Sequence, residues 1–346
     1  DLPQAVRLSL LINEDSSLSI LVLEEISITS NCDTSFELSN NILSDETRVI
    51  DDIYSVTIQY NPEELSFTLL SADFLKRGQT SLWVISDGVN ELFIGGTIHV
   101  LHETDFPLPS SFLEAYQLAD TVLFELDPKE VVPDSAYDDI LLPEGQTITQ
   151  LFSTSVYTQI NVFLNEVGYY LLQFENAKPE YLEFVLFYLA SEQAGYGSGV
   201  DDFFSTTALS DFKAVSGLET VQEHFAALDD SADFSDTDLD TYFSELLAYI
   251  YNGHLSVDID TDIRNWREGN IEVFANNNAA LKALDPVYFE AILATRNRNW
   301  VPIIEQYLAT PEIELILAGV GHFAGPDNVL QLLEELGYSV TRYLPQ

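Results

Sequence analysis

Leu92-Phe93-Ile94-Gly95-Gly96-Thr97-Ile98-His99 and, far downstream, Ile313-Glu314-Leu315-Ile316-Leu317-Ala318-Gly319-Val320-Gly321-His322 follow one plan: an apolar run, a glycine, and a histidine three positions later. Runs this short and this apolar read as buried strands. Each motif leads through a proline-bearing loop into a helical pattern, with Pro107 and Pro109 in the first loop and Pro326 in the second. After the first motif a helix is expected from Pro109 to about Ala119, with Ser110 or Ser111 as its cap. Thr121-Val122-Leu123-Phe124-Glu125-Leu126-Asp127 then reads as the next buried strand. Strand, loop, helix, strand is a parallel crossover unit. The expected class is α/β: a mixed, largely parallel sheet with helices packed around it. Open sheets of this kind put their chemistry at strand ends, where a glycine turn presents a side chain to a cleft.

Outward from this core the pattern changes at both ends. Residues 6–12, 18–23 and 26–28 alternate or run apolar, and Asn13-Glu14-Asp15-Ser16 supplies a turn between the first two. Residues 55–60 and 65–70 alternate again, a helical turn is expected at 72–76, and Gly78 marks a junction. The expected division is a small, mainly antiparallel β module at 1–78 and an α/β domain at 79–346. Within the latter, Asp87-Gly88 is a hairpin signal between 83–86 and 92–94. Residues 214–219 and 338–343 read as further strands. Helical spacing is expected over 147–167, 179–193, 242–251, 262–267, 270–283, 286–294, 302–308 and 327–336.

The charge balance is extreme. The 346 residues carry 57 acidic against 13 basic side chains, a net charge of -44, yet 46% are hydrophobic, so the acidity does not signal disorder. It implies a solvated acidic surface suited to salty surroundings, and a repulsive field for nucleic acid and anionic membranes. Screening relieves the self-repulsion, so the melting temperature is expected to rise from low to molar salt; a flat or falling profile in a thermal scan would contradict this. Cys32 is the single cysteine, which excludes an intramolecular disulfide. No apolar stretch approaches the length of a membrane-spanning helix. The chain starts at Asp1; a removed secretory signal would explain that, and so would a trimmed tag, and on the first of these an extracytoplasmic (periplasmic or secreted) location is expected.

The chemistry-bearing residues are few. Only five histidines occur. Neutral imidazole ligates zinc, manganese and cobalt, with carboxylates completing the shell, so His99 and His322 are candidate ligands. The alternative for each is a backbone hydrogen bond that caps its loop. Glu125 interrupts an apolar strand, where a buried carboxylate needs a cation, a metal or several donors to stay ionised, which makes it a candidate ligand or general base. Its alternative is a strand-end residue facing solvent. Glu219 ends another short apolar segment and is a further candidate. Arg296, beside Asn297, is placed to pair with a site carboxylate or steady a carbonyl, or else to hold its helix through an ion pair. His102 reads as a loop residue, and His224 and His254 as structural or exposed. The Asp258-Ile259-Asp260-Thr261-Asp262 run fails as a calcium loop, because Ile263 and Gly269 stand where glycine and glutamate are needed. No phosphate-binding loop, GxSxG elbow or HExxH helix is present.

Taken together, Gly96-Thr97-Ile98-His99-Val100, Leu108-Pro109, Ala119-Asp120 and Glu125-Leu126-Asp127 resemble the amino-terminal block of the TraB/GumN family. Gly199-Val200-Asp201 with Phe204, Gly217-Leu218-Glu219-Thr220 and Trp266-Arg267-Glu268-Gly269-Asn270 continue the likeness in order. So do Arg296-Asn297 with Trp300, Gly319 through Asp327, and Gly337-Tyr338-Ser339-Val340. The family takes in the animal TIKI proteins and is related in fold to the erythromycin-esterase and ChaN-like group. The resemblance implies a cleft holding both histidines and the glutamate. In the TIKI branch it implies a peptidase dependent on manganese or cobalt. Carried over, His99, His322 and Glu125 form the metal and catalytic set, with Glu219 and Arg296 in support, and a peptide or protein is the substrate. The competing expectations are a non-catalytic protein that binds haem or a signalling peptide in the same cleft, and a metal-free hydrolase with histidine as base.

Overall fold

The computed structural model describes residues 4–12, 18–25, 53–61, 66–76, 80–231 and 238–344. Four strands, β1 (Gln4–Ile12), β2 (Leu18–Glu25), β3 (Ile53–Asn61) and β4 (Ser66–Lys76), form an antiparallel sheet in the order β2-β1-β3-β4. Residues 72–76, expected as a helical turn, instead continue β4, with Ala72 opposite Val56 and Phe74 opposite Tyr54. The Ala-Asp-Phe-Leu-Lys composition favours helix, and strand pairing overrides it. The expected run at 26–28 and the junction at Gly78 lie outside the described residues.

The second sheet carries the strand-end motifs. Its strands are β5 (Leu82–Ser86), β6 (Glu91–Thr97), β8 (Thr121–Leu126), β10 (Ala214–Glu219), β11 (Glu314–Gly319) and β12 (Ser339–Arg342), in the order β10-β8-β11-β6-β5-β12. The four strands from β10 to β6 run parallel, and β5 and β12 are antiparallel at one edge. A short antiparallel pair joins β7 (Val100–Leu101) to β9 (Gly197–Ser198). The expected hairpin is present: Asp87 turns the chain between β5 and β6 by accepting the N–H groups of Val89 and Asn90 at 2.7 Å each.

The helices are α1 (Ser110–Leu118), α2 (Thr154–Glu166), α3 (Pro179–Gln193), α4 (Val200–Ser210), α5 (Val221–Ser231), α6 (Leu239–Tyr251), α7 (His254–Arg267), α8 (Ile271–Leu284), α9 (Pro286–Phe289), α10 (Thr295–Leu308) and α11 (Val329–Glu335). Strand alternation sorts the core into two faces. Leu315 and Leu317 pack with Phe112, Phe204 and Trp266 from α1, α4 and α7; Ile316 and Ala318 pack with Trp300, Ile304 and Leu333 from α10 and α11. Both faces are covered, which is why β11 is buried along its whole length. A third core, built from Phe163, Leu182, Leu186 and Phe243, joins α2, α3 and α6. Among the described residues no helix is long and apolar enough to cross a membrane.

One local expectation is corrected. Pro109, not Ser110 or Ser111, occupies the cap of α1, and no side chain caps it. Proline's fixed φ suits the entry to a helix, and the Ser111 hydroxyl is drawn away to Thr80 Oγ1 at 2.6 Å in the interior. The acidic run 258–262 lies inside α7, where a calcium loop has no place.

Candidate functional site

Parallel pairing brings the two glycine-histidine motifs side by side. Gly96 lies opposite Ala318 and Thr97 opposite Gly319, so His99 and His322 leave neighbouring strands at the same end of the sheet. Glu125 and Glu219 sit at the corresponding ends of β8 and β10, which also pair in parallel. Four of the five candidate residues thus converge because four parallel strands end on one edge. The fifth, Arg296, comes from α10. Leu123 belongs to the core beneath Trp300, and by strand alternation Glu125 points to that same face and meets the helix there.

Arg296 organises the carboxylates. Its Nη2 donates to Glu125 Oε2 at 2.5 Å and to Glu219 Oε1 at 2.7 Å, and its Nε donates to Glu219 Oε2 at 3.0 Å. Nη1 donates to the Ile292 carbonyl at 3.0 Å and to His322 Nε2 at 3.2 Å. All five guanidinium N–H groups therefore have acceptors. The Ile292 carbonyl lies in a π-helical turn, Glu290–Ala294, immediately before α10; such wide turns concentrate at functional sites. Trp300, one helical turn beyond Arg296, lays its ring 4.9 Å from the guanidinium carbon and 4.3 Å from the His322 ring. Its Nε1 donates to Glu219 Oε2 at 3.0 Å.

The hydrogen bonds assign the tautomer of His322. Arginine only donates, so Nε2 accepts from it, and Nδ1 carries the proton given to Asn297 Oδ1 at 2.6 Å. Asn297 Nδ2 donates to the Asp327 carbonyl at 2.9 Å, which turns its oxygen toward the ring. Burial, with Arg296 alongside, pushes the His322 pKa down to about 3, so the ring is neutral. His99 is the opposite case. Asp201 Oδ2, 2.9 Å from its Nδ1, raises its pKa to about 9, and Asp201 is itself held by the Thr97 hydroxyl at 2.7 Å. Burial alone would raise the Glu125 pKa, but the charges of Arg296 and His99 and the Gly319 N–H, at 2.8 Å from Oε1, hold it well below the ordinary carboxylate range. Glu219 is lowered likewise, its burial outweighed by hydrogen bonds from His224 and Arg296.

Gly319 leaves the space that these groups share. A Cβ there would stand 3.0 Å from His99 Nε2 and 3.4 Å from Glu125 Oε1. His322 Nε2 lies 3.9 Å from the same Glu125 oxygen. Both imidazoles thus have Nδ1 tethered, by Asp201 and by Asn297, and turn Nε2 toward one carboxylate oxygen. That is the outer-shell arrangement by which proteins orient histidine ligands, and two imidazole nitrogens with one carboxylate oxygen suit a divalent transition ion. As they stand, His322 Nε2 accepts from Arg296 and His99 is held protonated by Asp201, so a divalent ion here would replace that arginine contact and the His99 Nε2 proton. Glu125, Glu219 and His224 also bring one ligand atom each within 4.8 Å of one another, but Arg296 Nη2 stands among them and already supplies the positive charge.

Several contributors were not legible beforehand. His224, expected to be structural or exposed, points Nδ1 at Glu219 Oε1 at 2.8 Å and belongs to the network; its helical setting gave no hint of this. Trp266 Nε1 holds the Gly96 carbonyl at 2.7 Å, and Asn278 Nδ2 holds the Gly321 and Ala324 carbonyls at 2.8 and 2.9 Å, so each motif is pinned by a distant side chain. His102 stays apart, stacked on Tyr196 with its Nδ1 3.2 Å from the Gly195 carbonyl, and His254 begins α7.

Gly199 locks the first histidine from the other side. A Cβ on it would lie 2.2 Å from the Ile98 carbonyl oxygen and from the His99 carbonyl carbon, and neither backbone atom yields cheaply. Gly199→Ala is expected to cost about 1–3 kcal/mol, read as a lowered melting temperature; an unchanged one would contradict this packing.

No curated protein and no solved structure matches the chain. A family model does, over residues 81–342, most of the chain and the whole of the six-stranded sheet, and the chain belongs to the TraB/PrgY/gumN family.

Proposed function

We propose that the protein is a divalent-metal-dependent hydrolase that acts on peptide bonds. The observation that carries this reading is the pair of tethered imidazoles facing one ionised carboxylate oxygen across the side-chain-free Gly319. A bound metal would polarise the scissile carbonyl and lower the pKa of its water. His99, His322 and Glu125 would hold it, with manganese, cobalt or zinc suiting the donor set. Glu125, kept ionised by Arg296, would serve as ligand or as base; as base it would accept a proton from the attacking water and pass it to the leaving amine. Arg296 fixes Glu125 and His322 and places positive charge where an oxyanion develops. The choice of a peptide as substrate rests on what membership of the family implies in its TIKI branch.

Hydrolysis of a quenched fluorescent peptide library tests the reading. Activity lost on dialysis against chelator and restored by Mn2+ or Co2+ supports it. Activity indifferent to chelator points to histidine acting as base without metal. A specific observation favours a second reading, a non-catalytic binding protein for haem or a signalling peptide: Arg296 gives all its N–H groups to Glu125, Glu219, His322 and the Ile292 carbonyl, a network held together by protein groups. A visible absorption band on haem titration, with no cleavage of any peptide, would favour that alternative.

A further inference from the structure

Beside the network lies an open cleft of about 640 Å³, walled by α5, by the α9 segment with its π-helical extension, and by the start of α10. Glu219 and Arg296 form part of its lining, so it borders the candidate site through Arg296, which reaches Glu125 and His322, and through Glu219, which Arg296 holds. Much of its wall is aliphatic, with Ala226, Ala227, Val287 and Ala291, and Thr295 and Asn299 stand beside them. Val287 is 58% exposed, an apolar side chain left open to solvent on the cleft.

The charge of the lining is one-sided. Arg296 is its only basic residue, and its five N–H groups are already committed. Glu290 is neutralised by Arg298. Glu223 uses Oε2 to accept the Thr220 N–H and hydroxyl, both at 2.8 Å, and has no ion pair among the described residues. A ligand entering here meets apolar walls, an uncompensated carboxylate and no spare cation. An acidic group would be repelled, and a purely apolar one would leave the carboxylate unmatched. A side chain with an aliphatic stem and a cationic head matches both features.

We propose that this cleft binds a lysine or arginine side chain of a peptide substrate, the stem lying on Ala226, Ala227, Val287 and Ala291 and the head meeting Glu223. The choice of a peptide rests on the hydrolase reading; the preference for a basic side chain rests on the cleft. Fluorescein-labelled hexapeptides that differ at one central position, lysine, norleucine or glutamate, are titrated by anisotropy into the full chain dialysed against chelator. About 1 M NaCl shortens the Debye length to ~3 Å and removes attraction by the overall charge. The lysine peptide is expected to bind about twofold to fivefold more tightly than the norleucine peptide, what an exposed ion pair at contact keeps under such screening, and the glutamate peptide most weakly. Glu223→Gln should bring lysine down to norleucine, and Ala227→Trp, which fills the cleft, should weaken both. Equal binding of lysine and norleucine, a lysine preference that survives Glu223→Gln, or affinities untouched by Ala227→Trp would overturn the proposal. Neither metal nor turnover enters this measurement, so its failure leaves the hydrolase reading standing, and a failed hydrolysis assay leaves the cleft's preference intact.

Discussion

Arg296→Met is expected to destabilise the protein by about 2–4 kcal/mol at neutral pH, because it leaves two largely buried carboxylates without their cation. The pH dependence carries a sharper signature. In the native protein Glu125 and Glu219 have pKa values below the ordinary 4.5. Their contribution is therefore present above pH 4.5 and is lost as pH falls through the lowered values. Without Arg296 burial is opposed by fewer groups, His99, His224 and the Gly319 N–H remaining, so both pKa values rise from their native positions. The variant's deficit is then greatest above the raised values and shrinks as pH falls through them. Acid also relieves the surface repulsion in both proteins, so the difference between them is the quantity to follow. Thermal melts of the pair between pH 8 and pH 5 should show the gap in melting temperature narrowing as pH falls. A gap that stays constant, or a variant as stable as the native chain at pH 8, would mean that the arginine does not hold these carboxylates.

Glu125→Gln is expected to lower peptide hydrolysis by about a hundredfold to ten-thousandfold, the usual worth of a positioned general base. Glutamine keeps the shape but cannot take a proton. Its amide also sets an N–H against a donor, because one side-chain oxygen accepts from Gly319 and the other from Arg296. Initial rates at saturating Mn2+, with circular dichroism to confirm folding, would read the loss. A folded variant whose rate stays within a factor of about three would remove Glu125 from the chemistry.

Why part of this site was legible and part was not follows from the physics of a parallel sheet. Strands such as Thr121–Leu126 and Glu314–Gly319 are covered on both faces and so read as apolar runs. A glutamate or a glycine-histidine pair at the end of such a run stands out. That all these ends share one edge follows from the crossover connections. The tethers leave no comparable trace. Asn297, Asn278 and Trp266 act over long separations in the chain, and nothing in their local pattern separates a residue that pins a carbonyl from one that faces solvent. His224 looked like any residue of a helix, and only the position of α5 against β10 brings it to Glu219. Asp201 was visible as part of a shared motif, but its role, holding Nδ1 of His99, needed the fold.

The central claim is that His99, His322 and Glu125 hold one divalent ion. Metal analysis by plasma mass spectrometry of protein purified without chelator, alongside the His99→Ala/His322→Ala double variant, addresses it directly. The account predicts about one equivalent of transition metal per native chain, its loss in the double variant, and a native far-ultraviolet circular dichroism spectrum for both. Metal absent from the native chain, or retained undiminished by the folded double variant, would contradict it.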